Sequence, residues 1–129
     1  MAAIRPLIAV IEADATDRRT LCSLLSTLDV DVKAFDSAES YLAQREGAPG
    51  CLITEVALPG MSGLDLLRLL RSDGVSPPMI LLGEHADVRA AVTAMREGAI
   101  DFIEKPHVDV AIVRRVAYLL DHATGAVKH

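Results

Sequence analysis

Apolar residues along this chain fall into two alternating kinds of stretch. Leu7-Ile8-Ala9-Val10-Ile11, Cys51-Leu52-Ile53-Thr54 and Met79-Ile80-Leu81-Leu82 are short, nearly unbroken apolar runs, each preceded by Pro or Gly. Such runs suit strands buried on both faces, as in a parallel sheet. Val30-Asp31-Val32-Lys33-Ala34-Phe35 alternates instead and predicts an edge strand, and Asp101-Phe102-Ile103-Glu104 predicts a short fifth strand. Between them the period changes. Leu21, Leu24, Leu25 and Leu28 recur at i, i+3, i+4 and i+7, one face of an amphipathic helix. Asp36-Ser37-Ala38-Glu39 and Ser62-Gly63-Leu64-Asp65 both have the form of capping boxes that open helices. The second leads into Leu66, Leu67 and Leu70, and Gly74 stops it. A fourth helix runs from Asp87 to Glu97, closed by Gly98, and a fifth from Val110 to His122. The fifth carries Val110, Val113, Val116, Ala117 and Leu120 on one side. Ile112 and Leu119 widen its apolar arc beyond what one buried face needs.

Strict alternation of strand and helix implies an α/β layer architecture with right-handed crossovers. Five of each in this length predict a flavodoxin-like, doubly wound parallel sheet in the order 2-1-3-4-5. The expected domain covers residues 1–123, with 124–129 as a tail or the start of a linker. Composition narrows the picture further. Of the 129 residues 51% are hydrophobic, which excludes disorder, and only 3% are aromatic, so Leu, Val, Ile and Ala must build the core. A net charge of −5 argues against a surface of its own that grips nucleic acid or anionic lipid. Cys22 and Cys51 form no metal or redox spacing and read as small buried hydrophobes in a reducing compartment. No apolar run reaches the ~18 residues of a membrane span, and no secretory signal is visible. A cytoplasmic location without membrane contact is therefore expected.

Ligands of open α/β sheets bind beyond the carboxyl ends of the strands, at the switch in strand order. There the sequence places Glu12-Ala13-Asp14-Ala15-Thr16-Asp17, then Glu55, then Gly83-Glu84-His85, then Lys105-Pro106. Three carboxylates in the first of these loops repel phosphate, and no glycine-rich fingerprint is present, which disfavours a nucleotide. No nucleophile–base pair points to an enzyme.

Acid, acid and lysine converging on that crevice carry a resemblance. Asp14 with Arg18-Arg19, Ser37-Ala38-Glu39, Leu58-Pro59-Gly60-Met61-Ser62-Gly63, His85, Asp87 and Gly98-Ala99-Ile100-Asp101-Phe102-Ile103-Glu104-Lys105-Pro106 resemble the receiver domains of two-component response regulators, most closely the FixJ type. The resemblance spans about Leu7 to Asp121. It implies a CheY-like fold in which an aspartate ending the third strand takes a phosphoryl group from a histidine kinase. In that family Mg²⁺ is held by the second of two adjacent acids after the first strand, by the phosphoacceptor and by a backbone carbonyl two residues later. A lysine pairs with the phosphoryl oxygens, a hydroxyl after the fourth strand reads them, and an aromatic residue in the fifth strand follows.

Carried onto this chain, the pattern breaks at three positions. Glu55 stands at the phosphoacceptor position, the acid pair is Glu12-Ala13 followed by Asp14, and the switch hydroxyl is replaced by Gly83. Lys105, Phe102 and the Ala57 carbonyl remain, and His107 follows Pro106 where the family usually has Phe. The extra methylene of Glu55 displaces a carboxylate by ~1.5 Å, one C–C bond; in-line transfer loses roughly a hundredfold for such a misplacement. Alanine at 13 removes a ligand from an ion that demands near-octahedral oxygens. The expectation is an atypical receiver, a pseudo-receiver acting as a phosphorylation-independent interaction module with no cofactor and weak or absent Mg²⁺ binding. Glu55 is expected to reach Lys105, either imitating the phosphorylated state or only filling the pocket. Arg18 and Arg19 read as a solvated helix face, Glu84 and His85 as loop lining, and the Lys105–Pro106 bond as a candidate cis peptide. Protein partners are expected: an output domain, a histidine kinase, or a second copy docking through the fourth helix, fifth strand and fifth helix. Ile112 and Leu119 are candidate contacts there, with Asp101, Arg114 and Arg115 as rim charges. Two alternatives stay open, a divergent receiver still switched by phosphorylation and a small-molecule-binding regulator using the vacated crevice.

Overall fold

The computed structural model describes residues 5–74, 76–105 and 108–127, the side chains of 108 and 123–127 excepted. Five strands, β1 (Leu7–Ile11), β2 (Asp31–Phe35), β3 (Cys51–Glu55), β4 (Met79–Gly83) and β5 (Asp101–Glu104), form one sheet in the order β2-β1-β3-β4-β5. Every neighbouring pair is parallel. The helices are α1 (Ala15–Leu25), α2 (Ala38–Gln44), α3 (Gly63–Ser72), α4 (Val88–Arg96) and α5 (Val108–Val127), with a one-turn 3-10 helix (His85–Asp87) before α4. The doubly wound sheet expected from the alternating runs is the one observed.

Strand side chains alternate between faces, so each apolar run feeds two cores. Ala9, Ile11, Leu52, Met79 and Leu81 point to one side and pack with Leu66, Leu67 and Leu70 of α3, Ala94 of α4, and Phe35 and Tyr41. Ile8, Val10, Cys51, Ile53, Ile80 and Leu82 point to the other, against Leu21 and Leu25 of α1 and Ile112 and Val116 of α5. The Phe35 and Tyr41 rings meet edge to face, with centroids 5.4 Å apart. Cys51 is fully buried and free, and burial pushes its thiol up to about 12, in keeping with a structural role.

Several local expectations need correction. α1 ends at Leu25, before Leu28, where the backbone tightens to i→i+3 bonds: the Thr27 amide donates to Leu24 O at 3.2 Å and the Leu28 amide to Leu25 O at 3.0 Å, with the Ser26 and Thr27 hydroxyls adding bonds to Cys22 O and Leu24 O. α2 is capped by Ser37, which accepts from the Ser40 amide at 3.0 Å, and Glu39 closes no box there. The box at Ser62 and Asp65 is present. On α5 the core-facing residues are Ile112 and Val116, both fully buried, while Val110 is 62% exposed. Ile112 is thus a core residue and not a surface contact. Leu119 is partly buried against the same core. A wide apolar arc leaves the rotation of a helix undetermined, and it is the packing of Ile112 and Val116 into the core with Ile80, Leu82 and Leu21 that shows which side faces in. α5 runs from Val108 to Val127, longer at both ends than the expected Val110 to His122.

Candidate functional site

β1, β3 and β5 deliver their last residues to the same edge of the sheet. Glu12 follows β1 and its amide donates to Phe35 O at 3.0 Å; Glu55 ends β3; Lys105 follows β5 and its amide donates to Gly83 O at 2.9 Å. The loop after β3 is shaped by the Leu-Pro-Gly-Met-Ser-Gly stretch. Ser62 caps α3, and Gly63 presses the helix start onto β3 so closely that a Cβ there would lie 2.2 Å from Glu55 O. Any larger residue at 63 would push the end of β3 away. From the start of α2, on the same face of the sheet, Glu39 accepts from the Met61 amide at 2.7 Å, which holds its carboxyl below the usual carboxylate range and pins this loop.

Lys105 is the centre of the pocket. Its ammonium pairs with Glu55, lies 3.2 Å from Glu12 Oε1 and 3.7 Å from Asp17 Oδ2. The second Glu12 oxygen accepts from the Asp14 amide at 3.1 Å, so both oxygens are engaged. Glu12, Thr54 and Glu55 are the buried polar residues of the described chain. Burial penalises the charge on Glu55 and a hydrogen bond with Glu12 favours its protonated form, which together overcome Lys105 and push its carboxyl up to about 8. Burial also raises Glu12, but the hydrogen bonds from Glu55 and the Asp14 amide, with Lys105 close by, outweigh it and hold Glu12 below the ordinary range. Lys105 is disfavoured by burial yet raised on balance by Glu55 and Glu12. At neutral pH the trio therefore holds one ammonium, one carboxylate and one proton shared between two carboxyls.

The other expected residues are distributed around this centre. Ala13 and Asp14 are exposed, and Asp14 caps α1 by accepting from the Asp17 amide at 2.8 Å instead of entering the pocket. Arg18 is not a free surface residue: its Nη1 donates to Glu12 O at 2.8 Å and Ala13 O at 3.3 Å, holding the β1–α1 loop. Arg19 is exposed, as expected. Gly83 lies beneath Phe102 and Asp87. His85 Nδ1 is 3.8 Å from Glu104 Oε2 on the surface. Pro106 and His107 lie outside the described residues. Asp17 and Arg18 were not singled out from the sequence as pocket residues, although their i, i+3 and i, i+4 spacing from the cap Asp14 brings both to the loop. Glu39's contact, 22 residues away, had no local signal.

Asp101 and Arg115 pair within the chain, Oδ2 to Nε at 3.2 Å, and Arg115 also donates to Ile100 O at 3.3 Å, so neither is a free rim charge. Arg114 is exposed. The apolar side chains that reach solvent beside them are Val88, Val92 and Met95 on α4, spaced i, i+4, i+7, with Val110 and Tyr118 on α5. Tyr118 is stacked on His122, ring centroids 3.6 Å apart.

No helix among the described residues is long and apolar enough to cross a membrane. The transcriptional regulatory protein FixJ of Bradyrhizobium diazoefficiens is 34% identical over 122 residues, covering 94% of this chain and 60% of that protein. FixJ of Azorhizobium caulinodans is 41% identical over 110 residues, covering 83% and 51% respectively. The chain thus spans between half and three-fifths of the length of these curated relatives. The crystal structure of full-length FixJ from B. japonicum superposes with a TM-score of 0.83 at 32% identity, over 98% of this chain and 63% of that one. With five parallel strands in this order, acids and a lysine gathered at the carboxyl edge, and residues 8–117 matching the family model described as response regulator receiver domain, this chain belongs to the response regulator receiver domains.

Proposed function

We propose that this chain is an atypical receiver: a phosphorylation-independent interaction module, not an enzyme, working in the cytoplasm as the regulatory part of a transcriptional regulator. The observation that carries this reading is the state of Lys105, whose ammonium is already held by Glu12, Glu55 and Asp17. In a phosphorylatable receiver the resemblance assigns that ammonium to an incoming phosphoryl group, and the acids to Mg²⁺. The donor set here does not suit the metal. Ala13 offers no side-chain oxygen, both Glu12 oxygens are occupied, and Glu55 lies against an ammonium. Mg²⁺ requires near-octahedral oxygens and surrenders its waters reluctantly. The cluster neutralises itself instead.

An interaction role then rests on the outer face. Val88, Val92, Met95, Val110 and Tyr118 form an exposed apolar surface over α4 and α5, the kind of surface that marks a contact site. Its proposed occupants are a second copy or the output domain that the extra length of the FixJ relatives would supply; a histidine kinase remains a further partner, and nucleic acid is not contacted by this domain. A second reading has one supporting observation. A cleft of about 460 Å³ beside Lys105, floored by Leu21, Leu24 and Leu82, has room for a small molecule, and a thermal-shift screen would reveal it.

Treatment with a small-molecule phosphodonor followed by intact-mass spectrometry tests the main reading. Wild type is expected to remain unmodified and to bind Mg²⁺ weakly. Glu55→Asp alone is expected to recover little, and Ala13→Asp with Glu55→Asp to recover metal binding and some phosphorylation, because the two groups act as one unit. A phosphate adduct on wild type, mapped to Glu55, would overturn the proposal in favour of a divergent switch.

A further inference from the structure

The helices return from the carboxyl edge of the sheet and end at its amino edge, where the Lys105 cluster does not reach. Arg45 is the C-cap residue of α2 and Asp73 that of α3. With Tyr41, Gly47, Ala48 and Pro77 they line a cleft of about 270 Å³ between the two helix ends. Tyr41 and Pro77 are its buried floor, and the other four are its exposed rim. The Tyr41 ring is closed into the core against Phe35, and its hydroxyl makes no hydrogen bond with any described residue. Burial raises the Tyr41 phenol while the Arg45 guanidinium works against it, so at neutral pH the hydroxyl keeps its proton beside that cation. Arg45 Nη2 and Asp73 Oδ2 stand 3.9 Å apart, too far for a hydrogen bond, and neither side chain makes one elsewhere among the described residues. By contrast Arg68, also on α3, meets Glu97 through two bonds of 2.9 Å. A phenol, a guanidinium and a carboxylate thus surround one cleft with their hydrogen-bonding capacity unspent.

We propose that this cleft is a binding site for a small α-amino acid: its carboxylate against the Arg45 guanidinium and the Tyr41 hydroxyl, its ammonium against Asp73, and a short apolar side chain against Ala48 and Pro77. The inference is independent of how the Lys105 cluster is read. A carboxylate alone would meet the charge of Asp73, and an amine alone that of Arg45. A zwitterion answers both, and replaces one open ion pair by two closed ones. The guanidinium fork matches a carboxylate through two parallel bonds, and both rim side chains are free to part and admit it. The cleft falls just short of the ~300–1,000 Å³ of sites for drug-sized ligands, which suits an occupant of metabolite size.

Two-dimensional NMR of the 129-residue chain, titrated with L-leucine, tests the site. The probes 4-methylpentanoate and 3-methylbutylamine carry the same skeleton without the ammonium or without the carboxylate. Leucine is expected to give saturable shifts at the amides of Tyr41, Arg45, Gly47, Ala48 and Asp73, with those of Glu12 and Lys105 still. Either analogue should bind at least about tenfold more weakly, the worth of one charge-assisted hydrogen bond. Tyr41→Phe keeps the ring in the core and should weaken leucine about tenfold by the same measure. Arg45→Gln, on the exposed rim and so harmless to folding, should abolish its saturable shifts. Absence of saturable shifts with millimolar leucine, or shifts confined to other residues, would overturn the proposal. So would an analogue that binds as well as leucine, or leucine affinity within twofold of wild type in both variants.

Discussion

At the carboxyl edge of the sheet the charges that enter the protein interior are answered by groups of the same chain, whereas on the outer side of α4 and α5 apolar side chains end in solvent. Glu12, Glu55 and Lys105 leave one another little unmet demand. Val88, Val92, Met95, Val110 and Tyr118 have none of their exposed area covered by the chain itself. The difference teaches where binding free energy is still available. A ligand entering the pocket must first displace an ammonium and a shared proton, while a partner arriving at the α4–α5 face gains apolar burial at no such cost.

The strongest way to break the comparison is to move a charge across it. Ile112→Glu places a carboxylate in the core between α5 and the sheet and is expected to cost more than about 4 kcal/mol, enough to unfold the domain. Val110→Glu, two residues away on the same helix, should stay within roughly 0.5 kcal/mol of wild type. Urea unfolding of the two variants decides it, and equal losses would mean that the rotation of α5 is wrong. Val110→Glu should also weaken any self-association seen by sedimentation.

Removing the central cation comes next. Lys105→Met leaves Glu12 and Glu55 with no ammonium between them and is expected to lose about 2–3 kcal/mol at pH 7, the low end for a broken buried pair because Lys105 keeps some contact with solvent. The loss should shrink toward pH 4, where both carboxyls carry protons in the folded variant. A loss that does not change with pH would mean packing, not charge, is what Lys105 contributes.

The smallest effect concerns Glu55 itself. Its folded carboxyl titrates at about 8, well above the 4.5 of a free glutamate, so the folded state holds a proton that the unfolded chain has released. Glu55 therefore subtracts stability as pH rises from about 4.5 to about 8 and changes nothing further above that. Glu55→Gln should gain on wild type steadily as pH rises from 5 to 8 and level off above that, measured as the difference of two denaturation series. A constant difference across that range would place the shared proton elsewhere.

The strands were legible because a buried parallel strand shows as an apolar run with nothing polar to interrupt it, as β1 and β4 do and β3 does as far as Ile53. Helix ends and rotation were less so. Where α1 stops depends on its last amides tightening to i→i+3 bonds, and which side of α5 is inside depends on what the sheet and α1 offer it to pack against; neither is a property of local periodicity. Glu12, Glu55 and Lys105 could be brought to one crevice from topology, but their pairing spans 50 and 93 residues of sequence and is a fact of the folded chain. Gly83 is the plainest case. From the sequence it is a missing hydroxyl, and in the fold it is space already taken by Asp87 and Phe102.

The chain has no tryptophan and two tyrosines, and the fold puts them in opposite surroundings. Tyr41 is 2% exposed in the core against Phe35, and Tyr118 is 49% exposed on α5, stacked on His122. Ultraviolet emission of the unlabelled protein therefore comes from one ring that a soluble quencher cannot reach and one that it can. Loss of quenching with the core intact reports that something has settled on α5, and its reappearance for Tyr41 reports that the domain has opened, so a single titration reads docking and unfolding apart without any added probe.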